Sequence, residues 1–213
     1  MHFSNWLIFC SIALLITFTP GPAVLLAISN SLAVGPRRAM ISSLGNAMGL
    51  FVVSGVAMAG LGAVLATSAT AFMGLKIVGA LYLIYLGIKQ LSGKASALAD
   101  VKAAPATVNL HAAPRLFSQG LAVALTNPKA ILFFSAFFPQ FLMHDAPVFG
   151  QFLMLTTTFV ACALLSHVFY ALLARVLKKQ FASPQRMRLF NYASGGVFVL
   201  LGLSLLRLRN KAA

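Results

Sequence analysis

Apolar side chains dominate six long runs of this chain, at about residues 5–33, 39–66, 71–91, 116–142, 149–174 and 190–206, and most charged residues cluster in or beside the gaps between them. A helix needs roughly 20 apolar residues to cross a hydrocarbon core of about 30 Å, and each run is near or above that length. Lipid offers no partners to free backbone groups, and the weak ten-residue alternation of a membrane barrel is absent. The pattern therefore predicts an all-α integral membrane protein with six transmembrane helices. One gap is long and polar, 92–115, rich in Ala, Ser and Pro. It reads as a linker between a first three-helix unit, 1–91, and a second, 116–213.

Two of the runs are interrupted by proline near mid-span, at 17-TFTPGPA-23 and 125-LTNPKA-130. Asparagine is a strong N-cap and proline suits the first helical position, so Asn127-Pro128 predicts a helix start, and Thr19-Pro20 can form another. Residues 5–18 reach only about 21 Å at 1.5 Å per residue, which puts the first break inside the membrane. The first and fourth helices are thus each expected as two half-helices. Pro22 and Pro128 stand 106 positions apart, and 78-VGALYLIYLG-87 aligns weakly with 193-ASGGVFVLLG-202 at an offset of 115. The chain looks duplicated. An odd number of helices per copy makes the second copy enter from the opposite side, so two inverted three-helix repeats are expected, an architecture of transporters.

Composition sharpens this picture. With 60% hydrophobic and 8% charged residues, an ordinary soluble domain is excluded. The formal net charge of +14 does not point to nucleic acid, because eleven of the sixteen Lys and Arg fall in or at the edges of the gaps after runs 1, 3 and 5. These are Arg37, Arg38, Lys89, Lys94, Lys102, Arg115, Arg175, Lys178, Lys179, Arg186 and Arg188. Such loops are expected to be cytoplasmic, which leaves the N-terminus on the periplasmic side. Arg207, Arg209 and Lys211 in the tail oppose a C-terminus on that same side. No basic segment precedes the first run and no small-residue cleavage site ends it, so it is expected to be a retained span.

A helix N-terminus inside the membrane offers unpaired N–H groups and partial positive charge to an anion such as a carboxylate. Thr19, Pro20, Gly21, Pro22 and Ala23 at the first break, with Asn127, Pro128 and Lys129 at the second, are the candidate substrate-binding residues. Lys129 either adds its charge to that site or snorkels toward an interface. His167 is the interior histidine, a candidate proton or substrate relay or else a hydrogen-bonded core residue. Asn46, Tyr82 and Tyr85 are candidate pathway-lining residues. Asn46, Gln119, Gln140 and Thr156 to Thr158 are expected to bridge helices by hydrogen bonds, and Gly45, Gly49, Gly55, Gly60 and Gly62 to serve helix packing. Cys10 and Cys162 form no disulfide framework or zinc motif, and neither a metal site nor a cofactor is expected. A membrane thiol-disulfide electron carrier using these two cysteines is a rival reading; a metal exporter lacks the ligand clusters it would need.

The segments 19-TPGPA-23, 35-GPRRA-39, 45-GNAMG-49, 75-LKIVGALYLIYLG-87 and 126-TNPKAILFFSAFFPQF-141 together resemble the LysE/RhtB family of amino-acid exporters. The likeness runs in order from the first to the fourth helix and more loosely to the sixth. It implies a six-helix exporter of the bacterial inner membrane that moves amino acids using the proton-motive force and often oligomerises. Many relatives carry a carboxylate after the helix 2 glycines or within helix 5. Here Leu50 follows Gly49, and Asp100 and Asp145, the only acids, lie in the gaps. The resemblance names no substrate; the absence of acids from the apolar runs favours small neutral amino acids, since a basic side chain would meet no counter-charge in the bundle.

Overall fold

A computed structural model describes residues 3–19, 21–67, 113–143 and 146–181, with single positions between 73 and 92 and between 192 and 206. Pro20, Tyr82 and residues 93–112 of the linker lie outside the described residues. All regular structure among the described residues is helical: α1 Phe3–Phe18, α2 Pro22–Val34, α3 Pro36–Thr67, α4 Ala113–Thr126, α5 Pro128–Leu132 and α6 Val148–Phe181. A π-turn, Phe133–Phe137, and a 3-10 turn, Phe138–Phe141, extend α5.

Both expected breaks are present. The axes of α1 and α2 meet at 54°, and those of α4 and the segment 128–141 at 49°. Pro36–Gly60 of α3 and Val148–Ala174 of α6 are each long and apolar enough to cross a membrane unbroken, and each bent pair can make one further span. Between α2 and α3 the chain reverses at one residue, Gly35, whose φ of 86° lies in the left-handed region that glycine adopts without a Cβ penalty. Its N–H closes onto the Ser31 carbonyl at 3.0 Å, and Arg37 and Arg38 are exposed just beyond.

The core is aromatic on one side of the breaks. Phe133, Phe134, Phe137 and Phe138 recur at helical spacing on one buried stripe, against Phe9 of α1 and Phe159 of α6. Phe133 stacks on Phe159 at 4.4 Å between centroids, and Phe9 meets Phe141 edge-on at 5.2 Å. On the other side of the breaks, α3 and α4 run backbone against backbone. Phe117 covers Gly45, Ser42 and Asn46 cover Gly120, and Ala124 and Leu121 cover Gly49, so side chains at these glycines would collide with the opposite helix. The expected packing role of Gly45 and Gly49 is met; Gly55 and Gly60 have no atom within 4 Å of a Cβ position. Gly87, Gly195 and Gly202 make similar close contacts between the stretches 73–92 and 192–206.

Few of the expected polar bridges form. Thr157 donates to Leu153, Thr158 to Met154 and Gln140 to Ala136, all within their own helical segments. A hydroxyl near the carbonyl one turn back needs no second helix. Thr158 alone of the three threonines also receives a bond from another helix, from the Trp6 indole at 3.1 Å. Thr156 Oγ1, Gln119 Oε1 and Asn46 Oδ1 are buried without a protein partner.

The candidate site at the two helix breaks

A helix that stops inside apolar surroundings leaves its last carbonyls open, and each must find a donor. At the end of α1 the accounting closes. The Thr19 N–H returns to Leu15 and Ile16 at 3.1 and 3.2 Å, and the Thr19 hydroxyl donates to Leu15 at 2.6 Å. Ser166 of α6 donates to the Thr17 carbonyl and Tyr170 to that of Phe18, both at 2.8 Å. The Lys129 ammonium from α5 donates to the Ile16 carbonyl at 3.0 Å and the Thr19 carbonyl at 2.8 Å. Every carbonyl from Leu15 to Thr19 is satisfied, four of them by side chains from elsewhere in the chain. Lys129 also sits where the α1 dipole is negative.

The second half-helix starts at Gly21-Pro22 and not at Thr19-Pro20. Gly21 is the N-cap, Pro22 takes the first helical position, and no side chain caps the end. Thr19 is drawn into the close of α1 by its bonds to Leu15, so it is unavailable as a cap. The other expected start is as predicted: Asn127 Oδ1 accepts from the Lys129 N–H at 3.1 Å, with Pro128 at the first position. A Cβ on Gly21 would lie 3.3 Å from Lys129 Nζ, so the two breaks meet at one point. There the carbonyl end of α1, the amide end of α2 and one ammonium come together.

The Lys129 side chain is turned inward onto α1. An inward cation is costly, roughly 2.5–3.5 kcal/mol at a helix centre on insertion scales. His167 follows Ser166 in α6, is 3% exposed, and is within electrostatic reach of Lys129. Its Nδ1 has no protein partner, unlike the hydrogen-bonded core histidine that was the other expectation. Asn46 is buried at the α3–α4 contact, and Tyr85 is 55% exposed. Ser166 and Tyr170 were not singled out in the sequence. Their i, i+4 spacing, which puts both hydroxyls on one helix face, is the signal that could have found them.

Cys10 and Cys162 are free thiols, one half-buried in α1 and one buried in α6, near enough to influence one another electrostatically. Among the described residues no group of three or more His, Cys, Asp or Glu could hold a metal ion.

Comparison with known proteins matches residues 14–209 to the family model of the LysE type translocator. A homoserine/homoserine lactone efflux protein of Salmonella typhimurium is 33% identical over 210 residues, covering 99% of this chain and 100% of that one. A leucine efflux protein of Salmonella choleraesuis is 36% identical over 147 residues, 68% of each chain. An uncharacterized membrane protein of Vibrio cholerae is 32% identical over 208 residues, 96% of this chain and 98% of that one. No solved structure matches.

Proposed function

This chain belongs to the LysE type translocator family, and from that premise we propose that it is a secondary transporter that exports small neutral amino acids from the cytoplasm, driven by the proton-motive force. The observation that carries the reading is the meeting of the two helix breaks. Opposed helix ends form a dipole pair matched to a zwitterion, with the amide end of α2 facing a carboxylate and the carbonyl end of α1 facing an ammonium. Thr19 to Ala23 and Asn127 to Lys129 supply these groups. Relatives named for homoserine and leucine efflux, both neutral amino acids, support the substrate class. So does the position of the only acids, Asp100 and Asp145, in the polar gaps. With no carboxylate in the apolar runs, His167 is the side chain we assign to the proton.

The same reading gives six transmembrane helices in two inverted repeats, in the bacterial inner membrane, with the linker and the other basic loops cytoplasmic and the N-terminus periplasmic. The glycine contacts joining 73–92 to 192–206 support the repeat, because Gly87 and Gly202 are its matched positions. Homo-oligomers are in keeping with the exposed apolar surface of α6, where Leu165 and Leu172 are 57% and 62% exposed.

The test is to load cells with single amino acids as dipeptides and follow their external accumulation with and without the protein. Faster appearance of one or more neutral amino acids is expected; no difference across the panel would overturn the reading. The nearness of the free thiols Cys10 and Cys162 is the observation on the side of an electron carrier. Export that survives replacement of both cysteines by alanine removes that rival.

A further inference from the structure

We infer that the carbonyls of Ile16 and Thr19 are the half-site for the substrate's α-ammonium, and that Lys129 is a tethered stand-in for it, displaced when an amino acid binds. The inference rests on the zwitterion site proposed above and assigns what happens within it.

The argument starts from an excess of chemistry. The end of α1 needs donors, and Ser166 and Tyr170 show that neutral hydroxyls supply them to the Thr17 and Phe18 carbonyls at 2.8 Å. At Thr19, and at Ile16 beside the Thr19 N–H, the donor is a primary alkylammonium, at 2.8 and 3.0 Å. That is the functional group an amino acid carries on its α-carbon. Two converging carbonyls at the negative end of a helix recognise it by charge and by hydrogen-bond geometry together. The Lys129 ammonium thus marks, atom for atom, where a ligand ammonium is stabilised.

Displacement then has a destination. A ligand that brings an ammonium to these carbonyls also brings a carboxylate, and the displaced Lys129 pairs with it. One cation leaves the carbonyls as another arrives, and the freed cation meets the only anion that enters, so no charge is left without a partner at any stage. The exchange explains selection for zwitterions. An amine can fill the carbonyls but leaves Lys129 with nowhere to go, while a carboxylic acid lacking the ammonium cannot displace it. Lys129 Nζ already lies beside Gly21, 3.3 Å from a Cβ placed there, so the start of α2 is its next neighbour when it leaves the carbonyls.

The test compares L-leucine with isopentylamine, its decarboxylated counterpart, and 4-methylpentanoate, its desamino counterpart, for binding to purified protein in nanodiscs. Wild type is expected to bind leucine and to bind the amine at least tenfold more weakly. In Lys129→Ala and Lys129→Met the carbonyls are vacated and the carboxylate partner is gone. The amine is then expected to gain at least tenfold and leucine to lose its advantage over it. Amine binding that is the same in wild type and both variants overturns the inference. Should neither variant fold, lysine 15Nζ resonances of wild type give the answer: leucine moves a lysine signal and 4-methylpentanoate does not, and equal response to both overturns it. Absence of any amino-acid export in the dipeptide assay is a separate result that removes the transporter reading, whereas a gain of amine binding in the variants would still report the carbonyl half-site.

Discussion

At the scale of single residues, the end of α1 is the place where one hydrogen bond can be weighed. Tyr170→Phe removes the donor to the Phe18 carbonyl and Ser166→Ala the donor to Thr17, each leaving a carbonyl open in a buried position. Each is expected to destabilise by about 1–3 kcal/mol, the cost of an orphaned buried acceptor, read as a lower thermal midpoint in detergent. Lys129→Met should behave otherwise. It removes the ammonium from Ile16 and Thr19, yet it also removes a buried cation, so the two effects on stability oppose each other. The expected outcome is a thermal midpoint close to wild type with efflux reduced at least tenfold at matched membrane abundance, in line with the roughly 1.5–3 kcal/mol of a hydrogen bond to a charged group. Near-normal efflux would take Lys129 out of the site.

At the scale of elements, the breaks were legible because proline and asparagine act locally. Asn127-Pro128 sets its own helix start whatever surrounds it, and the structure keeps it. Thr19-Pro20 carried the same local signal and lost, since the Thr19 hydroxyl gains more from the Leu15 carbonyl in a buried helix end than from capping the next helix. Contacts between distant residues left no mark in the sequence. Nothing local says that Lys129 lies against Ile16, 113 positions earlier, or that Cys10 lies near Cys162. The glycines were readable only as a class. Gly45, Gly49 and Gly120 sit in the α3–α4 contact, while Gly55 and Gly60 face open space. Gly120→Leu should therefore prevent accumulation of folded protein, and Gly55→Ala should be silent or slightly stabilising, as alanine favours the helix by up to about 1 kcal/mol. Comparing the monodisperse fraction after extraction checks both, and equal behaviour would contradict the described packing.

At the scale of the whole molecule, orientation follows from charge. A cysteine at Ser96 in a Cys10→Ala, Cys162→Ala background should resist an impermeant thiol reagent in intact cells and react after permeabilisation. Rapid labelling in intact cells would reverse the assigned sidedness. The expectation rests on eleven basic residues in three loops, a bias set by insertion and independent of how the helices later pack.

The seam between α3 and α4 has a consequence for the chain as a chain. α3 lies before the 92–115 gap and α4, from Ala113, runs out of its end, so the tightest backbone contact described here joins the segments on either side of that gap without using the peptide that connects them. On the proposed two-repeat reading, the molecule would act as a heterodimer written as one polypeptide. If a protease site is placed in the linker and cleaved after membrane insertion, the two pieces should still co-elute and still export. A pair of half-length genes, inserted with opposite orientations and meeting at a glycine seam, would then be a workable ancestor of the single chain.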